Sequence, residues 1–180
     1  MLLDRIKIFA DGASLPSMLE AAGDPRIGGF TTNPTLMRKA GVTDYRAFAH
    51  QVLAEIKDKP ISFEVFADDF PEMRRQAREI ATWGENVYVK IPITNTRRET
   101  ATPLVRELGA AGIKLNVTAI CTVDQVRETA QALGVHTNTV YFRLNRLKKI
   151  SDLDPRSYAG TSAILTALRL LEIQAAAKAS

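Results

Sequence analysis

Over its first 130 residues the chain alternates short runs of β-branched and aromatic residues with longer stretches whose apolar positions recur every three or four residues. The runs at 6–10, 28–32, 61–67, 87–91 and 113–118 have the length and composition of strands. The stretches at 15–22, 45–57, 72–83, 100–111 and 123–133 have helical spacing. In the second of these, Phe48, Val52 and Ile56 stand four apart on one face. Strand and helix in alternation predict βαβ units and a parallel sheet, because each parallel step needs a crossover. The expected fold is α/β, an incomplete (β/α) TIM-type barrel with about five parallel strands. A closed eight-unit barrel takes about 250 residues, more than the 180 present.

After Thr122 no further strand-like run appears. The helical stretch at 123–133 leads to a Gly134 turn, an N-cap at Thr137 and an apolar stripe of Val140, Leu144 and Leu147. A turn at 152–155 and an Ala/Leu-rich stretch at 163–178 follow. The division this predicts is a partial barrel over 1–130 and a small all-α segment over 131–180. Charge divides at the same place. Residues 1–130 carry 17 basic and 17 acidic residues and 131–180 carry 7 and 3, so the net charge of +4 belongs to the last fifty.

Composition narrows the classes. With 46% apolar and 24% charged residues, the chain reads as globular, and its apolar runs are too short to span a bilayer, so no membrane partner is expected. Asp4 and Arg5 interrupt the opening where an export signal needs apolar residues, which predicts a cytoplasmic protein. Cys121 is the single cysteine, and His50 and His136 are far apart, so neither a disulfide nor a metal site is expected.

Ligands of parallel β/α sheets bind beyond the carboxyl ends of the strands. The polar residues expected there are Asp11, Asn33, Glu64, Lys90, Asn116 and Thr118. Lys90 lies between Val89 and Ile91, and an apolar setting lowers an amine pKa from about 10.4 towards the neutral form that attacks a carbonyl. A lysine paired with a buried carboxylate for structure alone is the alternative. Asp11 or Glu64 could shuttle a proton, and Asn33, Asn116 and Thr118 could hold substrate hydroxyls. Taken singly, an Asp after a strand is a common helix cap, and Thr31-Thr32-Asn33-Pro34 reads equally as a turn.

Five blocks carry a family resemblance: Ile-Phe-Ala-Asp-Gly-Ala at 8–13, Gly-Phe-Thr-Thr-Asn-Pro-Thr-Leu-Met at 29–37, Ile-Ser-Phe-Glu-Val-Phe-Ala-Asp-Asp at 61–69, Val-Tyr-Val-Lys-Ile-Pro-Ile-Thr at 87–94 and Lys-Leu-Asn-Val-Thr-Ala at 114–119. In order they resemble the strands of transaldolases, in particular the small branch near fructose-6-phosphate aldolase, over about residues 5–130. The resemblance implies Lys90 as a Schiff-base lysine, Asp11 as the proton-transfer residue, and Glu64 with Thr118 as the pair that positions a catalytic water. It implies substrate contacts from Thr31, Asn33 and Asn116, a sugar phosphate as substrate, transfer or cleavage of a dihydroxyacetone unit, and no cofactor.

The family's Ser-Pro-Phe-x-Gly-Arg segment, which grips the substrate phosphate, does not occur in the 180 residues. Arginine is the natural bidentate phosphate clamp, so weak sugar-phosphate binding is expected. A five-strand sheet would expose its edges and inner face, so a homo-oligomer is expected to cover it. Residues 128–147 resemble the helix-turn-helix of PucR-type regulators, with a likeness extending to about residue 173. That second resemblance implies base contacts from Thr137, Asn138, Tyr141 and Arg143 and phosphate contacts from Arg146, Lys148 and Lys149, making DNA a partner. The sequence therefore offers a transaldolase-like enzyme, a DNA-binding regulator on a partial-barrel platform, or an inactive chimera of the two.

Overall fold

The computed structural model describes residues 7–135. Five strands, β1 (Ile8–Asp11), β2 (Ile27–Thr31), β3 (Ile61–Glu64), β4 (Val87–Pro92) and β5 (Leu115–Thr118), form one sheet in the order β1-β2-β3-β4-β5. Every neighbouring pair is parallel. Six helices separate or follow them: α1 (Leu15–Ala22), α2 (Pro34–Lys39), α3 (Tyr45–Glu55), α4 (Phe70–Ala81), α5 (Thr102–Ala110) and α6 (Val123–Ala132). Sequential parallel strands with intervening helices make an open α/β half-barrel, consistent with part of a TIM-type barrel.

Alternation along each strand decides what faces where. In β4, Val87, Val89 and Ile91 are buried while Tyr88, Lys90 and Pro92 alternate with them. Side chains two apart share a face. The helix-side layer is continued by Phe30, Ile61 and Phe63, all fully buried, and is closed by Met73, Ala77 and Ile80 of α4 and Leu104, Val105 and Leu108 of α5. Each such large aliphatic or aromatic side chain contributes about 1.5–3 kcal/mol on burial. The opposite, concave face carries the polar residues, and there Phe9 is 43% and Tyr88 36% exposed.

Local chemistry sets the element ends. Asp44, Asp69 and Thr122 cap α3, α4 and α6 through backbone N–H groups three residues on, and Thr122 forms a reciprocal capping box with Gln125. Gly112, at φ +78, ends α5 in the left-handed region and turns the chain towards β5. Gly29 lets β2 lie close to its neighbours, since a Cβ there would stand 2.7 Å from the Pro60 carbonyl oxygen and would clash with the edge of the Phe9 ring.

Several expected boundaries shift. The third strand ends at Glu64 rather than 67 and the fifth begins at Leu115 rather than 113. Residues 34–39, to which the sequence pattern assigns no element, form α2, which starts with Pro34 at its first position and Asn33 as its cap. The helix at 123–132 packs against α5 and buries Ala130 and Ala132. The helix-turn-helix expected from the sequence, with Thr137, Asn138, Tyr141, Arg143, Arg146, Lys148 and Lys149, falls on residues outside those described. Among the described residues no helix is long and apolar enough to cross a membrane.

Candidate functional site at the strand ends

Parallel register assembles the site on the concave face. Asp11 pairs with Thr31, Thr31 with Ser62, Glu64 with Lys90, Lys90 with Asn116 and Pro92 with Thr118. Residues in register on parallel strands point to the same side, so Asp11, Thr31 and Ser62 form one row across the sheet, Glu64, Lys90 and Asn116 a second, and Thr118 lies in a third beside Pro92. Lys90 is the hub. Its Nζ lies 3.6 Å from Glu64 Oε2 and donates to the Thr32 carbonyl at 3.4 Å. Its side chain is 15% exposed and that of Glu64 19%, which leaves the pair within reach of a ligand.

The setting of Lys90 differs from the apolar one read from its neighbours. Val89 and Ile91 point to the helix side and are fully buried there, and Lys90 shares the concave face with a carboxyl group instead. Adjacent residues of a strand lie on opposite faces, so flanking apolar residues say little about the surroundings of the one between them. Burial pushes the Glu64 carboxyl up from its ordinary value, opposed by the charge and hydrogen bond of Lys90. Burial likewise pushes Asp11 up, opposed by the charge of Lys90. Both carboxyls thus gain affinity for a proton beside one amine.

The remaining expected residues take distinct positions. Asn33 Oδ1 accepts from Leu36 N–H at 2.9 Å as the cap of α2, which leaves its amide nitrogen for another partner. Asn116 Nδ2 donates to Ser62 Oγ at 3.0 Å, reaching across β4. Thr118 Oγ1 donates to the Ile91 carbonyl at 3.4 Å. Glu64 and Thr118 therefore flank β4 from its two sides, on β3 and β5. Thr31, Ser62, Tyr88 and Asn116 line a concavity of about 390 Å³ with Phe9 and Lys7. A larger hollow of about 630 Å³ lies among Pro60, Asn86 and Lys114, which precede β3, β4 and β5, and so opens at the amino ends, away from the amine–carboxyl cluster.

Two participants are not singled out by the sequence pattern. Ser62 is 3% exposed and bonded to Asn116. Its position two residues before Glu64 on a strand is the signal that could find it, because the period of two places both on one face. Tyr45 donates its hydroxyl to the Glu64 carbonyl at 3.0 Å from within a cluster with Phe63, Phe66 and Trp83. Nothing in the periodicity of α3 points across to β3. Among the described residues no group of three or more His, Cys, Asp and Glu could hold a metal.

A parallel β/α half-barrel with an amine, two carboxyl groups and two amides towards the carboxyl ends of its strands defines a class of open α/β proteins with a polar cluster on the concave face. Residues 8–174 match the family described as Transaldolase/Fructose-6-phosphate aldolase, and the chain belongs to it. A probable transaldolase of Dehalococcoides mccartyi is 38% identical over 120 residues, covering 67% of this chain and 54% of that protein. One from Maridesulfovibrio salexigens is 33% identical over 140 residues, 78% of this chain and 63% of its own. One from Thermoanaerobacter sp. is 37% identical over 142 residues, 78% and 62%. The chain thus spans between half and two thirds of these relatives. The family match continues to residue 174, through the stretch whose pattern resembles a helix-turn-helix.

Proposed function

We propose that the chain is a transaldolase-family protein that forms a Schiff base between Lys90 and the ketone of a dihydroxyacetone unit, carried by a sugar phosphate. The observation that carries this reading is the Lys90 amine 3.6 Å from Glu64 with Asp11 coupled to the same cluster. The Nζ lone pair forms the carbon–nitrogen bond. Amine, ketone and one proton give an iminium ion and one water, the ketone oxygen leaving in that water. Removal of the proton from the hydroxyl two carbons away then breaks the intervening carbon–carbon bond, whose electrons neutralise the iminium as an enamine while an aldehyde departs.

Asp11 receives the hydroxyl proton in this scheme, and Glu64 with Thr118 holds the water lost and later regained. A carboxyl whose proton affinity burial has raised suits such exchange. Thr31, Asn33 and Asn116 hold the hydroxyls of the bound unit. The exposed Phe9 and Tyr88 support a further part of the reading, that a second copy of the chain covers the concave face.

Because the family's phosphate-gripping segment is not in the sequence, dihydroxyacetone itself is the suitable probe. Borohydride added with dihydroxyacetone should fix one three-carbon unit per chain by intact mass, and Lys90→Ala should abolish it. An unmodified wild-type chain, or equal labelling of Lys90→Ala, contradicts the proposal.

A further inference from the structure

The ladder between β2 and β3 stops one donor short of the site. Phe30 N–H donates to the Pro60 carbonyl at 2.8 Å and Thr32 N–H to the Ser62 carbonyl at 3.1 Å. Donors towards one neighbouring strand recur every second residue, so the next in line is position 34, opposite the Glu64 carbonyl. That position is Pro34, which has no N–H and opens α2 instead. The Tyr45 hydroxyl, on the first residue of α3, donates to the Glu64 carbonyl at 3.0 Å in its stead. Burial pushes the Tyr45 phenol up, so the hydroxyl keeps its proton and remains a donor. At the other end of the same peptide unit, Val65 N–H donates to the Lys90 carbonyl at 3.1 Å. The peptide that closes β3 is thus held from both sides, and one of its two ties is to the backbone of the site lysine.

Resting on the Schiff-base reading above, we infer that Tyr45 is a positioning residue that replaces the backbone donor Pro34 lacks and so holds the Glu64 carboxyl in place beside the Lys90 amine. Glu64 ends its strand, stands in register with Lys90 and carries the carboxyl 3.6 Å from Nζ on the residue whose carbonyl Tyr45 binds. A small tilt of that strand end changes the carboxyl–amine geometry, to which reaction rates are steeply sensitive. The ring that delivers the hydroxyl is itself set by edge-to-face contacts with Phe63, Phe66 and Trp83. Tyr45 acts through Glu64, so its contribution should vanish once the carboxyl is gone.

The test follows the rate at which dihydroxyacetone and borohydride add the three-carbon unit, by intact mass over a range of ketone concentrations. Tyr45→Phe keeps the aromatic cluster and removes only the donor. It should lower the maximal rate about fivefold, the weight of one net hydrogen bond, with the half-saturating concentration unchanged. Glu64→Ala should also label slowly, and adding Tyr45→Phe to it should slow labelling no further. If Tyr45→Phe does not fold, Phe66→Ala, at a position 51% exposed, loosens the Tyr45 ring and should slow labelling only where Glu64 is present. A wild-type maximal rate in Tyr45→Phe, or an equal fall with and without the Glu64 carboxyl, overturns the positioning role alone. Failure of wild type to take up the unit overturns the Schiff-base reading and this inference with it.

Discussion

At the residue scale, the concave face trades stability for proton affinity. The Asp11 carboxyl is pushed up chiefly by burial, and the nearby Lys90 charge only partly offsets this. The folded state therefore resists ionisation of Asp11 more than the unfolded chain does. The stability this group confers is complete below the ordinary carboxylate value of 3.8 and is lost as pH rises through its higher folded value. Asp11→Asn removes that loss. Thermal melts should show the variant modestly more stable than wild type at neutral pH, with the gap closing below about pH 4, where both side chains are neutral. A destabilised Asp11→Asn at neutral pH would mean that the Lys90 attraction outweighs burial. Carbon–carbon cleavage of a sugar phosphate should fall in the same variant, because Asp11 takes the hydroxyl proton at that step, while trapping of dihydroxyacetone, which involves no cleavage, should persist; this is the usual opposition between activity and stability at a site.

Secondary elements are fixed by caps that lie partly within the site and partly outside it. Asp69 caps α4 through the Glu72 N–H at 3.0 Å, and its replacement by alanine should cost about 1 kcal/mol in chemical denaturation with trapping unchanged. Asn33 combines both roles. Asn33→Asp keeps the oxygen that accepts from Leu36 and loses the free nitrogen, so stability should hold near wild type while dihydroxyacetone trapping weakens. Equal loss in both readouts would place Asn33 in the fold alone. Strand and helix order is legible because period-two and near-four-residue patterns survive in the sequence: α1 falls at Leu15–Ala22 as its spacing predicts. The short α2 is hidden, since six residues hold too few turns for a periodic signal and Thr-Thr-Asn-Pro reads equally as a turn. Lys90 and Glu64 are legible as strand-end residues, whereas their pairing, and the links of Ser62 to Asn116 and Tyr45 to Glu64, join residues 19 to 54 positions apart. Such contacts follow from register and curvature, which no local pattern encodes.

On the scale of the whole molecule, the half-barrel presents its working face on an open sheet. Phe9 and Tyr88 expose apolar surface beside the polar rows. With a second copy covering that surface, sedimentation should find a species heavier than the 19.8 kDa chain, shifted towards monomer by Tyr88→Ser. A monomer at all concentrations would remove the covering copy from the proposed function and leave the chemistry of Lys90 standing. That chemistry depends on the reactivity of one amine among several. Peptide mapping by tandem mass spectrometry after borohydride reduction with dihydroxyacetone reports which lysine carries the three-carbon unit. The label is expected on Lys90, with Lys7, Lys59 and Lys114 unmodified. Label spread over surface lysines with Lys90 bare would contradict the Schiff-base role of Lys90.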